Sequence, residues 1–147
     1  MKKLVRFGVA MESSLLEELD RLVARRGYGN RSDALRHLVH RELLADTWQR
    51  GGVVVASISL VFDHHVRELT ELLTEIQHDF SEHIVSTLHV HLDHDRCLEV
   101  VVARGPAQTV KTLADRLIGA RGVLSGTLVP AGMAPAAGEK KRSSRQS

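Results

Sequence analysis

One cysteine, Cys97, stands in a chain of 147 residues, so no internal disulfide can form. Aromatic residues make up only 3%, and any core must therefore be built from Leu, Val, Ile and Ala. No apolar run approaches the ~20 residues that span a bilayer. The longest, Val53 to Phe62, falls far short of it. The first residues begin like a signal peptide, but Arg6 and Glu12 break the apolar region. A cytoplasmic chain with no membrane partner is the expectation. The "NRS" at 30–32 matches a glycosylation sequon, which has no meaning without secretion.

Charge and histidine, by contrast, are present and unevenly spread. A length of 147 residues makes one ordinary domain or two small ones, and a hydrophobic content of 43% is enough for their cores. Residues 1–50 carry ten Lys/Arg against seven Asp/Glu, and residues 51–132 carry six against ten. Seven of the nine histidines lie between His64 and His94, all in the acidic part. A basic part joined to an acidic, histidine-rich part suggests two jobs in one chain.

The basic part opens with "LVRFGVA" (4–10), which alternates with strand periodicity. Val5, Phe7 and Val9 share one face; Leu4, Arg6, Gly8 and Ala10 share the other. A helix follows with Leu15, Leu16, Leu19, Leu22 and Val23 in one stripe. Ser14 and Glu17 fit a capping box, and Gly27 a helix stop. Asn30 can cap a second helix that carries Leu35, Leu38, Val39 and Leu43. One strand and two helices cannot close a core alone, and a lone strand exposes its edges. A dimer solves this: two strands pair as a ribbon and four helices cover its apolar face. The other ribbon face then displays Arg6, Gly8 and Ala10. Such a ribbon fits the major groove of DNA, where arginine can grip guanine through two hydrogen bonds. Asn30 and Arg31, at a helix N-terminus, could clamp a phosphate. The plainer reading is an exposed arginine on a dimerisation module. The order strand–helix–helix, with "RRGYGNRSDALRHLV", resembles a ribbon–helix–helix repressor.

"ADTWQRGG" (45–52) reads as a join. Beyond it the periodicity predicts β-α-β-β-α-β: "VVVASISLVF", a helix over about 63–77, "IVSTLHVHL", a turn at "DHDR", "CLEVVVA", a helix within 105–122, and "VLSGTLV". Val66, Leu69, Leu73 and Ile76 are expected to point inward from the first of these helices. Pro106 suits the start of the second and Gly119 and Gly122 its end. This is the split βαβ, ferredoxin-like arrangement. The fold class is therefore α+β. The expected boundaries are 1–48 for the DNA-binding domain, 49–52 for the linker and 53–132 for the second domain. Residues 133–147 are expected to form a disordered basic tail; its "KKRSSR" could add weak nonspecific attraction to nucleic acid.

The chemistry concentrates in "STLHVHLDHDRC" (86–97). On a strand, residues two apart share a face, so His89 and His91 point the same way. Leu88, Val90 and Leu92 are assigned to the core. Cys97 opens the neighbouring strand, with Leu98, Val100 and Val102 on the alternate, core face. That places Cys97 opposite the core, beside both imidazoles. His94 sits in the turn and is less well aimed. Singly, each residue has a structural reading: polar-face histidines are common, and a lone cysteine is usually a small core hydrophobe. Together they point to a metal. A catalytic zinc site would leave the fourth position to water and need a base; Asp93, Asp95 and Glu99 are nearby, but nothing marks one as that base. A regulatory site would be closed by a fourth side chain, from this or another subunit. Imidazole with thiolate suits Zn, Cu, Co or Ni.

From about Leu4 to Val129 the chain resembles the nickel-responsive transcriptional regulator family, on "TLHVHLDHDRCLE", "RRGYGNRS" and the domain order. The resemblance implies a ribbon–helix–helix domain joined to an ACT-like domain in a homotetramer, a dimer of dimers. It implies one Ni(II) per chain at interfaces between ACT-like domains, held by His89, His91 and Cys97 of one chain and His78 of a neighbour. It implies a repressor, not an enzyme, that grips double-stranded operator DNA, with nickel-uptake genes as targets. Arg67 would then lie near DNA phosphates. Two departures stand out. Gly8 and Ala10 replace the family's usual hydroxyl residues, leaving Arg6 more of the readout. At a weaker cation site that uses two acids in some members, Asp33 matches and His37 does not. The competing readings are a small zinc-dependent metalloenzyme and an ACT-type regulator that senses a small molecule.

Overall fold

A computed structural model of the chain describes residues 2–133. The basic tail expected over 133–147 lies outside the described residues from 134 onward. The chain divides into two compact units, the first ending at Leu43 and the second beginning at Leu44.

In the first unit, α1 spans Ser13–Arg26 and α2 begins at Arg31 and runs to Gln49. Gly27 ends α1 in the left-handed region, φ 68°, where a residue without Cβ is least strained. Asn30 caps α2 as its type suggests: the Asp33 N–H donates to Asn30 Oδ1 at 2.9 Å. The expected capping box at Ser14 and Glu17 is not formed. The helix starts two residues earlier than that cap implies, at Ser13, and Glu12 precedes it without a side-chain cap.

The strand expected over 4–10 is not formed: the segment pairs with nothing and takes no regular structure. A strand needs a partner's N–H and C=O groups, and a single chain offers none to this segment. Leu4, Val5, Phe7 and Val9 stay exposed, and Ala34 is the only fully buried hydrophobic residue among those described before Leu44. The unit leaves much of its apolar surface exposed, with Leu15, Val39 and Leu43 open as well.

The second unit holds β1 (Val53–Asp63), α3 (Arg67–Asp79), β2 (Ile84–His91), β3 (Arg96–Pro106), α4 (Ala107–Ile118) and β4 (Val123–Met133). The strands lie in the order β2-β3-β1-β4, each neighbour antiparallel. This is the expected split βαβ topology. Right-handed crossovers put both helices on one face of the sheet. Val54, Ala56, Ile58, Leu60 and Phe62 of β1 and Val101 and Ala103 of β3 pack there against Leu69, Leu73 and Ile76 of α3 and Val110, Leu113 and Leu117 of α4. Burying a Leu such as Leu113 contributes about 1.5–3 kcal/mol. The first helix starts later than expected, at Arg67, because His64 and His65 turn the chain; Val66 caps it and is exposed rather than inward.

α2 runs on through much of the stretch read as a join. Trp48 packs against the core of the second unit, and Gly51 (φ 73°) and Gly52 make the turn into β1. A Cβ on Gly52 would lie 2.7 Å from Thr47 Cγ2, so this close turn needs glycine.

One assignment is reversed. Leu88 and Leu92 are 59% and 50% exposed, and Leu98, Val100 and Val102 are only half-buried, whereas Cys97 is fully buried. Cys97 lies on the helix-covered face, the core side, not opposite it. The strands are apolar on both faces, so their alternation alone could not say which face the helices cover. Register decides it, because Cys97 sits opposite Phe62 of β1.

Candidate metal centre

The β2–β3 hairpin aligns the ligand types by register. His91 pairs with Cys97 and His89 with Glu99, so all four side chains lie on the helix-covered face. Cys97 Sγ lies 3.4 Å from His91 Nδ1. The His89 and His91 rings are 5.4 Å apart. The same-face expectation for His89, His91 and Cys97 therefore holds, although the face is the opposite one.

Beside His91 and Cys97 is a residue that the sequence did not single out. His64, just past the end of β1, offers a ligand atom that lies with those of His91 and Cys97 inside 4.8 Å of one another. Its ring is 5.3 Å from that of His91. Its Nδ1 is buried and has no hydrogen-bond partner. The signal for it was available: in this topology β1 lies beside β3, which brings the end of β1 to the start of β3.

His89 is held differently. Its Nδ1 lies 3.3 Å from Glu99 Oε2, and its ring meets Phe62 edge-on. Glu99 is the one buried charged residue among those described. Gln77 Nε2 donates to Glu99 Oε1, and Thr87 Oγ1 donates to Gln77 Oε1 at 2.9 Å. A carboxylate that accepts a hydrogen bond from Nδ1–H keeps the proton there and leaves Nε2 with its lone pair, the tautomer a metal needs.

Burial, and after it the negative charges of Glu99, Asp63 and Asp93, push the Cys97 thiol above its ordinary pKa. A thiol in that setting stays protonated unless a cation displaces the proton. Nearby carboxylates raise the affinity for that cation while opposing the bare thiolate. A buried thiol, adjacent imidazoles and an orphaned imidazole nitrogen fit a borderline-soft divalent ion.

His78 is not part of this group. It sits exposed in the last turn of α3, where its charged form would favour the helix dipole.

Of the residues expected to contact DNA, all but Arg67 belong to the first unit. Arg6, Gly8 and Ala10 are exposed on the unpaired segment. Asn30 uses its side-chain oxygen as the α2 cap. Arg31 grips Asp20 of α1 with two hydrogen bonds of 2.8 and 2.9 Å. Arg67 opens α3, its side chain 90% exposed and 3.3 Å from Glu71. At the proposed weaker cation site, Asp33 pairs with Arg36, and His37 stacks on Tyr28 at 5.2 Å.

No helix among the described residues is long and apolar enough to cross a membrane. Two family models match the chain. One, described as "NikR C terminal nickel binding domain", covers residues 55–131; the other, "Ribbon-helix-helix protein, copG family", covers residues 5–45. Several relatives share the name "Putative nickel-responsive regulator". That of Solibacter usitatus is 54% identical over 87% of this chain and 93% of its own length. Those of Pelobacter propionicus and Geobacter metallireducens are 48% and 49% identical, each over 88% of this chain and 94% of their own. These relatives are named as regulators, not enzymes.

Proposed function

This chain belongs to the nickel-responsive regulator family, and from that premise we propose that it is a repressor whose grip on operator DNA is strengthened by Ni(II). The observation that carries the reading is the convergence of His91 and Cys97 on paired strands, with His89 and His64 beside them, in a chain whose N-terminal unit lacks the other half of its core.

In the N-terminal unit, residues 4–10 pair with the same segment of a second chain. Val5, Phe7 and Val9 then meet the half-buried stripes of α1 and α2. Arg6 faces outward from the ribbon into the major groove, with Gly8 and Ala10 keeping the backbone close to the bases. Asn30 and Arg31 approach phosphates at the α2 N-terminus, which requires Arg31 to leave or share Asp20. Arg67 adds a phosphate contact from α3.

In the second unit, His89, His91 and Cys97 hold one Ni(II) per chain, and the exposed His78 of a neighbouring chain completes the set. Bound nickel supplies a shared point of attachment between chains. Glu99 sets the His89 tautomer, and the core around Cys97 excludes water. The apolar sheet face opposite the helices provides a surface for assembly into a homotetramer, a dimer of dimers. Cytoplasmic location and nickel-uptake genes as targets complete the reading.

The test is operator affinity with and without Ni(II) at fixed salt, since phosphate contacts make affinity salt-dependent. Nickel should tighten binding of the native chain by about 5–150-fold. Cys97→Ser should lose most of that gain and any thiolate-to-metal absorption band. Equal affinity of the native chain with and without nickel would sink the reading.

A further inference from the structure

The last turn of α3 is tied down by two separate sets of contacts. One runs to the sheet: Gln77 Nε2 donates to Glu99 Oε1 of β3, and Thr87 Oγ1 of β2 donates to Gln77 Oε1 at 2.9 Å. The other runs to α4, where Arg116 holds the two residues that follow His78. Its Nη2 donates to Asp79 Oδ2 at 3.2 Å, and its guanidinium carbon lies 5.5 Å from the centre of the Phe80 ring. Phe80 packs against the core, and its N–H donates to the Gln77 carbonyl at 3.2 Å, which closes the helix. The Phe80 carbonyl accepts the His83 N–H at 2.8 Å and sets the turn toward β2. Gln77, Asp79 and Phe80 are thus each held by another element, whereas His78 between them is exposed.

Ending a helix needs only its terminal backbone groups satisfied, and the grip of Arg116 goes beyond that. An exposed ion pair alone holds a turn weakly. Here the same guanidinium also faces an aromatic ring anchored in the core, so one side chain engages two consecutive residues. What these contacts fix is the backbone under His78. A ligand supplied to another chain binds well when its aim is set before the metal arrives; otherwise every binding event bears the cost of ordering that turn. The hairpin sets His89, His91 and Cys97 in this way, and the α3 turn has the corresponding task for His78.

We propose that Arg116 is a positioning residue for nickel binding: by holding Asp79 and Phe80 it fixes the turn that aims His78 at the metal site of a neighbouring chain. This rests on the reading in which His78 completes the neighbour's ligand set. Arginine suits the task better than lysine, because its planar group can donate to a carboxylate and lie against a ring at once.

The experiment compares the native chain with Arg116→Ala, Arg116→Lys, His78→Ala and the double variant His78→Ala/Arg116→Ala, with Ni(II) alone as the probe. In the metal-free chains, Arg116→Ala should speed amide hydrogen exchange at Asp79 and Phe80 about tenfold while the sheet amides keep their native rates. In a competition titration it should weaken nickel binding by about tenfold, the lower end of what loss of a ligand-orienting partner costs. Its thiolate-to-nickel absorption band should move toward that of His78→Ala. Arg116→Lys, which keeps the charge, should fall between the native chain and Arg116→Ala in both. In the His78→Ala background, removal of Arg116 should change nickel affinity by less than about twofold, since a residue that acts only through His78 has nothing left to act on. Native nickel affinity in Arg116→Ala overturns the proposal. So does a loss that adds in full to that of His78→Ala, which would mark a general effect on the fold. Native affinity and an unmoved band in His78→Ala would instead overturn the reading of His78 as a ligand, a separate failure.

Discussion

At the scale of single residues, Glu99 is the most constrained charge among those described. It is buried, and both its oxygens are engaged, one by Gln77 and one facing His89 Nδ1. A ligand imidazole oriented by a carboxylate is a better donor, and loss of such a partner typically costs 10–100-fold in metal affinity. Glu99→Gln should therefore weaken nickel binding by roughly 10–100-fold in a competition titration while the chain stays folded. Native affinity in that variant would show that the carboxylate does not position His89. Asp20 offers a test of a different kind. Its hydrogen bonds from Arg31 hold the carboxyl below its ordinary value. A group depressed in this way adds stability that is fully present above the unfolded value of about 3.9 and is lost as pH falls through the folded value. In Arg31→Ala, the Asp20 carboxyl should titrate higher than in the native chain when followed by NMR. Identical midpoints would show that the pair seen here is not populated. Residue types also set what could be read in advance. His89, His91 and Cys97 are named by their alternation across a turn, whereas His64 becomes visible only once β1 is placed beside β3. Glu99 looks like any strand glutamate until burial gives it partners.

Elements were legible wherever period and capping agree. The βαββαβ order, the Asn30 cap and the Gly27 stop all follow from local chemistry. The choice of sheet face did not, because "LHVHL" and "CLEVVVA" carry apolar residues on both registers, and only helix placement separates core from open surface. The first strand was legible as a pattern but cannot pair within one chain. A glycine that local reading passes over reveals how tightly the layers meet. Gly126 of β4 faces α4, and a Cβ there would lie 2.7 Å from Ile118 Cγ1 and 3.1 Å from Leu60 Cδ2. Its role is close approach of helix and sheet, with no left-handed backbone involved. Overpacking of this kind costs about 1–3 kcal/mol. Gly126→Ala should lower the unfolding free energy by that amount, read as a lower urea midpoint with an unchanged slope. A midpoint equal to the native one would mean that Ile118 moves aside freely.

For the whole molecule, two surfaces lack partners and they are of different kinds. One is the unpaired segment 4–10 with its exposed Val5, Phe7 and Val9. The other is the open face of the sheet, where Val61, Leu88, Leu98 and Val100 lie opposite the helices, with Leu88 paired to Val100 and Val61 to Leu98. An antiparallel sheet tolerates water on one face when that face is polar, and this one is largely apolar. If each surface is covered by a second copy, one chain takes part in two distinct twofold contacts, and the product is a dimer of dimers. Val100→Glu separates the two contacts. Its carboxylate would be buried unpaired in the sheet-face interface, at a cost of several kcal/mol, yet in an isolated unit it points to solvent and leaves the helix-side core untouched. The variant should sediment as a dimer held by its N-terminal ribbon, and the native chain as a tetramer. Its helix and strand content by circular dichroism should match the native chain. On the proposed reading the neighbour's His78 would then no longer reach the hairpin, so nickel should still bind through the ligands of one chain but should no longer tighten operator binding. A variant that sediments as a tetramer would show that the open sheet face is not an assembly surface. A dimer that retains full nickel stimulation would show that the metal acts within the dimer and not across the sheet faces.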